Sequence, residues 1–312
     1  MASSTWPTVS ASVISTELAT AGFVPDLWSD EIMAAHKQNV VLASLVRKLV
    51  VKGKRGDSIQ IPVPGRAAAS AKVAETGVII QSATGTGVTI SLTAHWELSH
   101  LIEDIAEAHS MAAMRKFYTD NQGYALAKAK DTQLFLGAAL LNAGASTTTF
   151  DGAVSAGDGT TAFVDANDNE AAITDAGIRR VIQYIDDQSV PMNDRFLVIP
   201  PVARRVMMGI ARFTEQAFIG NGDAIKNGKF GQVYGAAVHV SANCPTSSNG
   251  ARLGLFAHKD AVVLCDVLGP RVQAQYKQEF LATLLTADTI FGYKAIHAAA
   301  ADSYGLMMAM PA

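Results

Sequence analysis

The chain has 312 residues, of which 49% are hydrophobic and only 17% charged, and its formal net charge is −3. That length supports one large or two modest domains with sizeable cores, and the charge excludes a globally basic nucleic-acid binder. A membrane helix needs about 20 consecutive apolar residues; none occurs, because the most apolar run, Val40–Val51, is broken by Arg47 and Lys48. A mean hydropathy of +0.19 without a membrane span therefore points to apolar surface buried between subunits.

Residues 1–22 are small, polar and rich in Ser and Thr. They lack the basic and apolar regions of a secretory signal and read as an arm that orders only against something else. Pro25 and Asp26 then start a short predicted helix over about 26–38, with Asp30 and Glu31 near its positive end. Trp28, Ile32 and Ala35 would face inward.

Two alternating segments follow. In 57–63, Ile59, Ile61 and Val63 share a face, and Pro62 marks an edge strand. In 88–99, Val88, Ile90, Leu92, Ala94, Trp96 and Leu98 face one way and polar residues the other, which predicts one long strand. The stretch between them is built of Ala, Ser, Gly and Thr and cannot form a core. A two-stranded arm is not stable alone in water, so the economical solution is a long hairpin lying on a neighbouring subunit.

Residues 101–142 are rich in Ala and Leu and contain no proline. They predict a helix of roughly 40 residues, ~60 Å long at ~1.5 Å per residue, bent near Asn121–Gly123. Its inward stripe is Ala113, Phe117, Tyr124, Ala127, Leu134, Ala138 and Leu141. A loop over 144–170 leads to a predicted helix at 170–188, capped by Asn167 or Asp168. A buried strand (RFLVI before Pro200–Pro201), a short helix (ARRVMMGI), a Gly-rich turn at 220–231 and a strand (AAVHVS) come next. Strands LGLFA, AVVLCDV and RVQAQY are expected to close this second lobe, and the C-terminal segment adds a last paired strand or two. The pattern predicts an α+β protein.

Chemistry-bearing motifs are weak. The histidines His36, His95, His100, His109, His239, His258 and His297 show no metal-ligand spacing. Asp165, Asn167 and Asn169 mimic the start of a calcium loop, but Glu170 replaces the turn glycine and Ala176 the bidentate acid. Gly220, Gly222, Gly228 and Lys229 miss phosphate-loop spacing, and Phe230 stands where Ser or Thr would hold magnesium. Glu103, Asp104 and Glu107 suit a helix start. Cys244 and Cys265 read as buried free thiols of a reducing compartment. The basic cluster Arg47, Lys48, Lys52, Lys54 and Arg55 reads as a solvated strand edge, with contact to packaged nucleic acid as the sharper alternative; Arg55-Gly56-Asp57 is too short a match to carry adhesion. No catalytic, cofactor-binding or metal-binding residue is assigned.

The colinear segments FVPDLWSDEI (23–32), KGKRGDSIQIPVPG (52–65), DNQGYALAKAKDTQL (120–134), GKFGQVYGAAVHVSANCP (228–245) and TADTIFGYKAIH (286–297) resemble the major capsid proteins of tailed bacteriophages, the Hong Kong 97-type fold. The resemblance implies an N-terminal arm and short helix at 1–50 and an extended β-hairpin loop at 51–97. It implies a peripheral domain with a long spine helix at 98–169 and 269–312, and an axial domain at 170–268. It further implies self-assembly into hexamers and pentamers of an icosahedral head around double-stranded DNA, touched non-specifically. A scaffolding protein and a portal would assist; a large N-terminal scaffolding region is missing from this sequence, which implies a separate scaffold. A cement protein could decorate the lattice. The product would be part of the virion, assembled in the host cytoplasm, with no membrane partner, no cofactor and no enzymatic activity. One branch of the family cross-links subunits through Lys–Asn bonds; Lys72 lies in the loop, but no positioned carboxylate accompanies it. An encapsulin-type compartment shell and an oligomeric metabolic enzyme are the alternatives.

Overall fold

The computed structural model describes residues 40–51, 56–64, 69–78, 80, 85–105, 114–142, 146–214, 230–298 and 303–312. The expected arm, the helix over 26–38 and the turn at 220–229 lie outside the described residues. Described elements are, in order, α1 (Leu42–Leu45), β1 (Arg47–Val50), β2 (Ser58–Pro64), β3 (Gly85–Ser91), β4 (Ala94–Glu103), α2 (Met114–Ala139), β5 (Val154–Ser155), α3 (Asp175–Asp187), β6 (Arg195–Ile199), α4 (Pro201–Met207), α5 (Ala211–Thr214), β7 (Gln232–Val233), β8 (Ala236–Val240), β9 (Arg252–His258), β10 (Val262–Lys277), β11 (Ala282–Ala295) and β12 (Gly305–Met310).

A six-stranded mixed sheet runs in the order β5-β12-β9-β6-β8-β7. Its central strand β6 is buried along its whole length: the apolar run Phe196–Ile199 fits burial on both faces, and Arg195 at its start is buried against Asp186 at 2.7 Å. Helices α3 and α4 cover one face: Ile178, Val181 and Ile185 of α3 and Ala203 and Met207 of α4 pack with Leu197, Ile199 and Met308. Leu134, Phe135, Ala138 and Leu141, from α2 and the turn after it, cover the other face with Phe163, Leu255 and Met307. Each fully buried Leu or Phe of these layers contributes about 1.5–3 kcal/mol.

Helix α3 begins five residues later than the sequence suggested. Thr174 is its cap, accepting the Gly177 N–H at 3.0 Å and donating to the Gly157 carbonyl at 2.5 Å. Asn167 and Asp168 instead shape the preceding loop, where Asp168 adopts φ 45°. Thr174 stands immediately before the first helical residue, where its hydroxyl reaches both the helix and a neighbouring loop, whereas Asn167 and Asp168 lie upstream in the preceding 3-10 turn.

The second sheet has four strands in the order β1-β10-β11-β4. Here AVVLCDV and RVQAQY form one 16-residue strand, β10, not two strands of the other lobe. Register shifts between Asp266 and Leu268 and between Leu268 and Arg271 accommodate Pro270, and the ladder with β11 resumes at Arg271.

The single strand expected over 88–99 is two strands. It breaks at Leu92, whose N–H bonds to the Asp57 carbonyl at 2.8 Å, and passes from the hairpin β2–β3 to the edge of the four-stranded sheet. The predicted alternation holds in part across the break: Ile90 and Leu92 are buried, as is Ile102, and Thr89, Ser91, Thr93, His95, Glu97 and Ser99 are exposed, but Trp96, expected on the buried face, is exposed because no described element covers that end of the sheet margin.

Residues Leu101–Glu103 are also strand, paired to Leu284, Thr283 and Ala282, and so do not begin the long helix. The described helix α2 has 26 residues and runs through Asn121–Gly123 without interruption; at ~1.5 Å per residue it is about 39 Å long. Of the predicted stripe, Leu134, Ala138 and Leu141 are buried and Tyr124 and Ala127 half-buried; the side chains of Ala113 and Phe117 are outside the described residues.

Candidate assembly surfaces

The hairpin β2–β3 pairs Ser58 with Ser91 through to Pro64 with Gly85. Proline has no N–H to give to a ladder, so Pro62 must point its nitrogen away from β3. Pro64, two residues on, has the same orientation. The outer edge of β2 therefore lacks two donors and is a poor template for a further strand.

Beyond its root the hairpin buries no side chain among the described residues. Described residues 69–78 and 80 are all exposed, and the large apolar side chains Val73, Val78 and Ile80 are 67%, 73% and 92% accessible. The tip is held by one local turn, with the Thr76 hydroxyl donating to the Val73 carbonyl at 2.8 Å. Lys72 is exposed and donates only to that carbonyl, at 3.5 Å.

At the root, Ile90 and Leu92 pack with Val51, Val263 and Cys265. Gly292 of β11 makes this possible. A Cβ there would lie 2.5 Å from the Ser91 carbonyl oxygen and 2.8 Å from Leu92 Cδ2.

Sequence reasoning missed a second surface, the far half of the β10–β11 ribbon. Residues 269–276 are exposed along β10. Val272, Tyr276, Phe280, Leu281, Leu101 and Ile105 present large apolar side chains to solvent there. Alternation of Val272, Ala274 and Tyr276 was visible in the sequence, but their lack of cover was not.

The ribbon is stiffened by a cross-strand charge array. Arg271 makes a bidentate pair with Asp288, Nε to Oδ1 at 2.7 Å and a terminal nitrogen to Oδ2 at 2.9 Å. His95 Nε2 lies 3.3 Å from the same Oδ2. Arg271 above all, and His95 after it, hold the Asp288 carboxyl below its ordinary pKa.

A third feature ties the start of the described chain to the body. Asp131 of α2 is fully buried and accepts the Ala43 N–H of α1 at 3.2 Å and the Asn243 amide at 3.1 Å. Burial raises its pKa, against the lowering effect of these hydrogen bonds. Nearby, Lys130 pairs with Asp266 at 2.7 Å and locks α2 to β10.

The weak chemical motifs are not brought together. Asp165 accepts the Asn249 N–H at 3.2 Å, whereas Asn169 bridges the Val164 N–H and the Ala162 carbonyl at 2.9 and 2.7 Å. Both act within loop architecture. Among the described residues no group of three or more His, Cys, Asp or Glu side chains is placed to hold a metal ion.

His258 is buried and accepts the Asp260 N–H at 3.1 Å, and burial pushes its pKa down. His297 stacks on Tyr304 with ring centroids 3.8 Å apart, and His100 lies 5.1 Å from the Tyr118 ring. His239 is on β8; His36 and His109 lie outside the described residues. Cys244 and Cys265 are buried and free, and burial, aided by the Asp131 charge, pushes the Cys244 thiol up to about 12.

Of the basic cluster, Arg47 pairs with Asp260 at 3.4 Å and Lys48 is exposed on β1. Lys52, Lys54 and Arg55 lie outside the described residues, as do Gly220, Gly222, Gly228 and Lys229. Glu103 ends β4, Asp104 accepts the Tyr276 hydroxyl at 2.8 Å, and Glu107 is not described. No described helix is long and apolar enough to cross a membrane.

An uncovered hairpin and an uncovered ribbon, projecting from a well-packed two-sheet body, define a subunit of a shell. A family profile described as phage capsid protein matches residues 100–306, and the chain belongs to that family. No curated protein matches it. Among solved structures, one from Mycobacterium phage Che8 is 19% identical, with a TM-score of 0.70 over 92% of this chain and 97% of that one. The capsid of cyanophage P-SCSP1u is 16% identical, with a TM-score of 0.70 over 94% and 93%. That of Ralstonia phage GP4 is 14% identical, with a TM-score of 0.67 over 93% and 96%. The fold is the Hong Kong 97-type α+β capsid fold, and the chain is a structural protein of the virion, a tailed-phage major capsid protein.

Proposed function

We propose that this subunit assembles into hexamers and pentamers of an icosahedral head that encloses double-stranded DNA by non-specific contact. The observation that carries the reading is the hairpin: its tip exposes Val73, Val78 and Ile80, and no described residue covers them. A neighbouring subunit supplies that cover. Assembly proceeds in the host cytoplasm with a separate scaffolding protein and a portal, and a cement protein is a further partner of the finished lattice. Within the subunit we divide the chain into an arm at 1–50, an extended loop at 51–97, an axial domain at 170–268 and a peripheral domain at 98–169 and 269–312. Two elements cross this division: β10 runs unbroken through 268–269, and β12 joins the six-stranded sheet beside β9. The protein acts as a structural element and not as an enzyme.

Deleting residues 66–86 tests this reading. The variant should keep the subunit's circular dichroism and thermal transition but fail to form large hollow particles under electron microscopy. Normal shells from the deletion variant would refute the role given to the hairpin. A discrete dimer or tetramer of the full chain, under all assembly conditions, would refute the shell.

A further inference from the structure

Among the described residues the four-stranded sheet has two open edges that match each other in charge. Strand β1 covers β10 only from Val263 to Asp266. From there to Lys277, no described strand pairs with the outer side of β10. At the opposite margin β11 is the one described strand that pairs with β4. Unprotected edges of this length invite strand addition. The same chain blocks the edge of β2 with Pro62 and Pro64, so the openness of β10 and β4 is selective.

Side chains paired directly across strands share a face. Arg271 pairs with Asp288, which pairs with Glu97; Lys277 pairs with Ala282, which pairs with Glu103. Arg271, Gln273, Gln275 and Lys277 thus form a column on the same face as Glu97, Ser99, Leu101 and Glu103. The open edge at β10 is basic, and the open edge at β4 is acidic. The spacing also agrees, because Arg271 to Lys277 and Glu97 to Glu103 each span six residues. Glu97, Glu103 and Lys277 have no ion-pair partner among the described residues. On the reverse face Val272 and Tyr276 of β10 and Trp96 of β4 are exposed at these same margins.

We propose that a second copy of this chain sets its β4 edge against the β10 edge, extending the sheet from subunit to subunit. This inference rests on the shell reading and names one contact within it. Basic and acidic columns then meet on one face when the two strands run the same way, as β4 and β10 already do within the sheet, and their equal spacings bring Arg271 opposite Glu97 and Lys277 opposite Glu103. Joining two β10 edges or two β4 edges would instead oppose like charges. The contact is therefore heterologous and repeats from copy to copy, as a lattice requires. It covers Trp96, Val272 and Tyr276 and satisfies the free backbone groups of both edges.

Paired cysteines test it in assembled particles of the full chain. Gln273→Cys with Ser99→Cys reports the contact, and Gln275→Cys with Ser99→Cys is the out-of-register control. Within one chain Gln273 and Ser99 flank Thr286 of β11 and lie about 9–10 Å apart, beyond the ~6.8 Å reach of a disulfide. Mild oxidation should give a ladder of dimers, trimers and higher multimers in the Gln273→Cys/Ser99→Cys variant, and in neither single variant nor the control. As a second measurement, Glu103→Lys should lower particle yield at least tenfold and Lys277→Glu in the same chain should restore it. Particles that form normally but give no ladder would overturn the contact and leave the shell intact. A chain that forms no particles under any assembly condition, its scaffolding protein included, would overturn both.

Discussion

Replacing Gly292 by alanine places a methyl group against the root of the extended hairpin. The new Cβ would stand 2.5 Å from the Ser91 carbonyl oxygen, 2.8 Å from Leu92 Cδ2 and 3.3 Å from Ile90 Cγ2. Leu92 can rotate, but the Ser91 carbonyl is backbone at the end of β3 and can yield only if the strand lifts. Overpacking of this kind costs about 1–3 kcal/mol. It also loosens Ile90 and Leu92 from Val263 and Cys265, the contact that fixes the hairpin to the sheet. With a urea m-value of ~3 kcal/mol/M, the unfolding midpoint should fall by about 0.3–1 M. The effect should be local: hydrogen exchange at Ser58–Ser91 should accelerate, while β6 and β9 keep their protection. Particle yield should fall with it, because a splayed hairpin no longer reaches its neighbour at a fixed angle. An unchanged midpoint together with unchanged exchange at Ser58–Ser91 would refute this account of the root.

Asp131→Ala removes the acceptor for the Ala43 N–H and the Asn243 amide. It should cost about 1–3 kcal/mol for the buried donors left unmade, with faster exchange at Ala43–Val46; denaturant titration and exchange read both. Because burial raises the Asp131 pKa, its ionised form is disfavoured in the folded state, and this stability is lost as pH rises through that raised value. Asp131→Asn should therefore be milder than Asp131→Ala at neutral pH. Asp288 has the opposite sign. Arg271 holds its pKa down, so its contribution is present above the ordinary carboxylate range and is lost as pH falls through the lowered value. Asp288→Asn should flatten the acid limb of the stability-against-pH curve, and an unchanged limb would show that the array with Arg271 and His95 has no weight.

The sequence by itself determined whatever depends on local periodicity and on what a segment cannot do. Ile90, Leu92 and Ile102 face inward because a strand alternates strictly, and that phase holds across a break the sequence concealed, although Trp96 in the same phase stays exposed at the sheet margin. Pro62 announced an edge strand for the same local reason. The small side chains between the two hairpin strands showed that no core could form there, which made a neighbouring subunit necessary. Only the tertiary structure decided which strands pair and which surfaces stay bare. Leu101–Glu103 read as the start of a helix, yet β11 offers a full ladder and takes them as strand. Two strands assigned to the second lobe proved to be one, since a register shift absorbs Pro270. Arg271, Asp288 and His95 are far apart in the chain and meet only through pairing, as do the basic and acidic columns at the two sheet edges. Long-range pairing is a competition among partners, and the winner is fixed by the whole fold and not by any one segment.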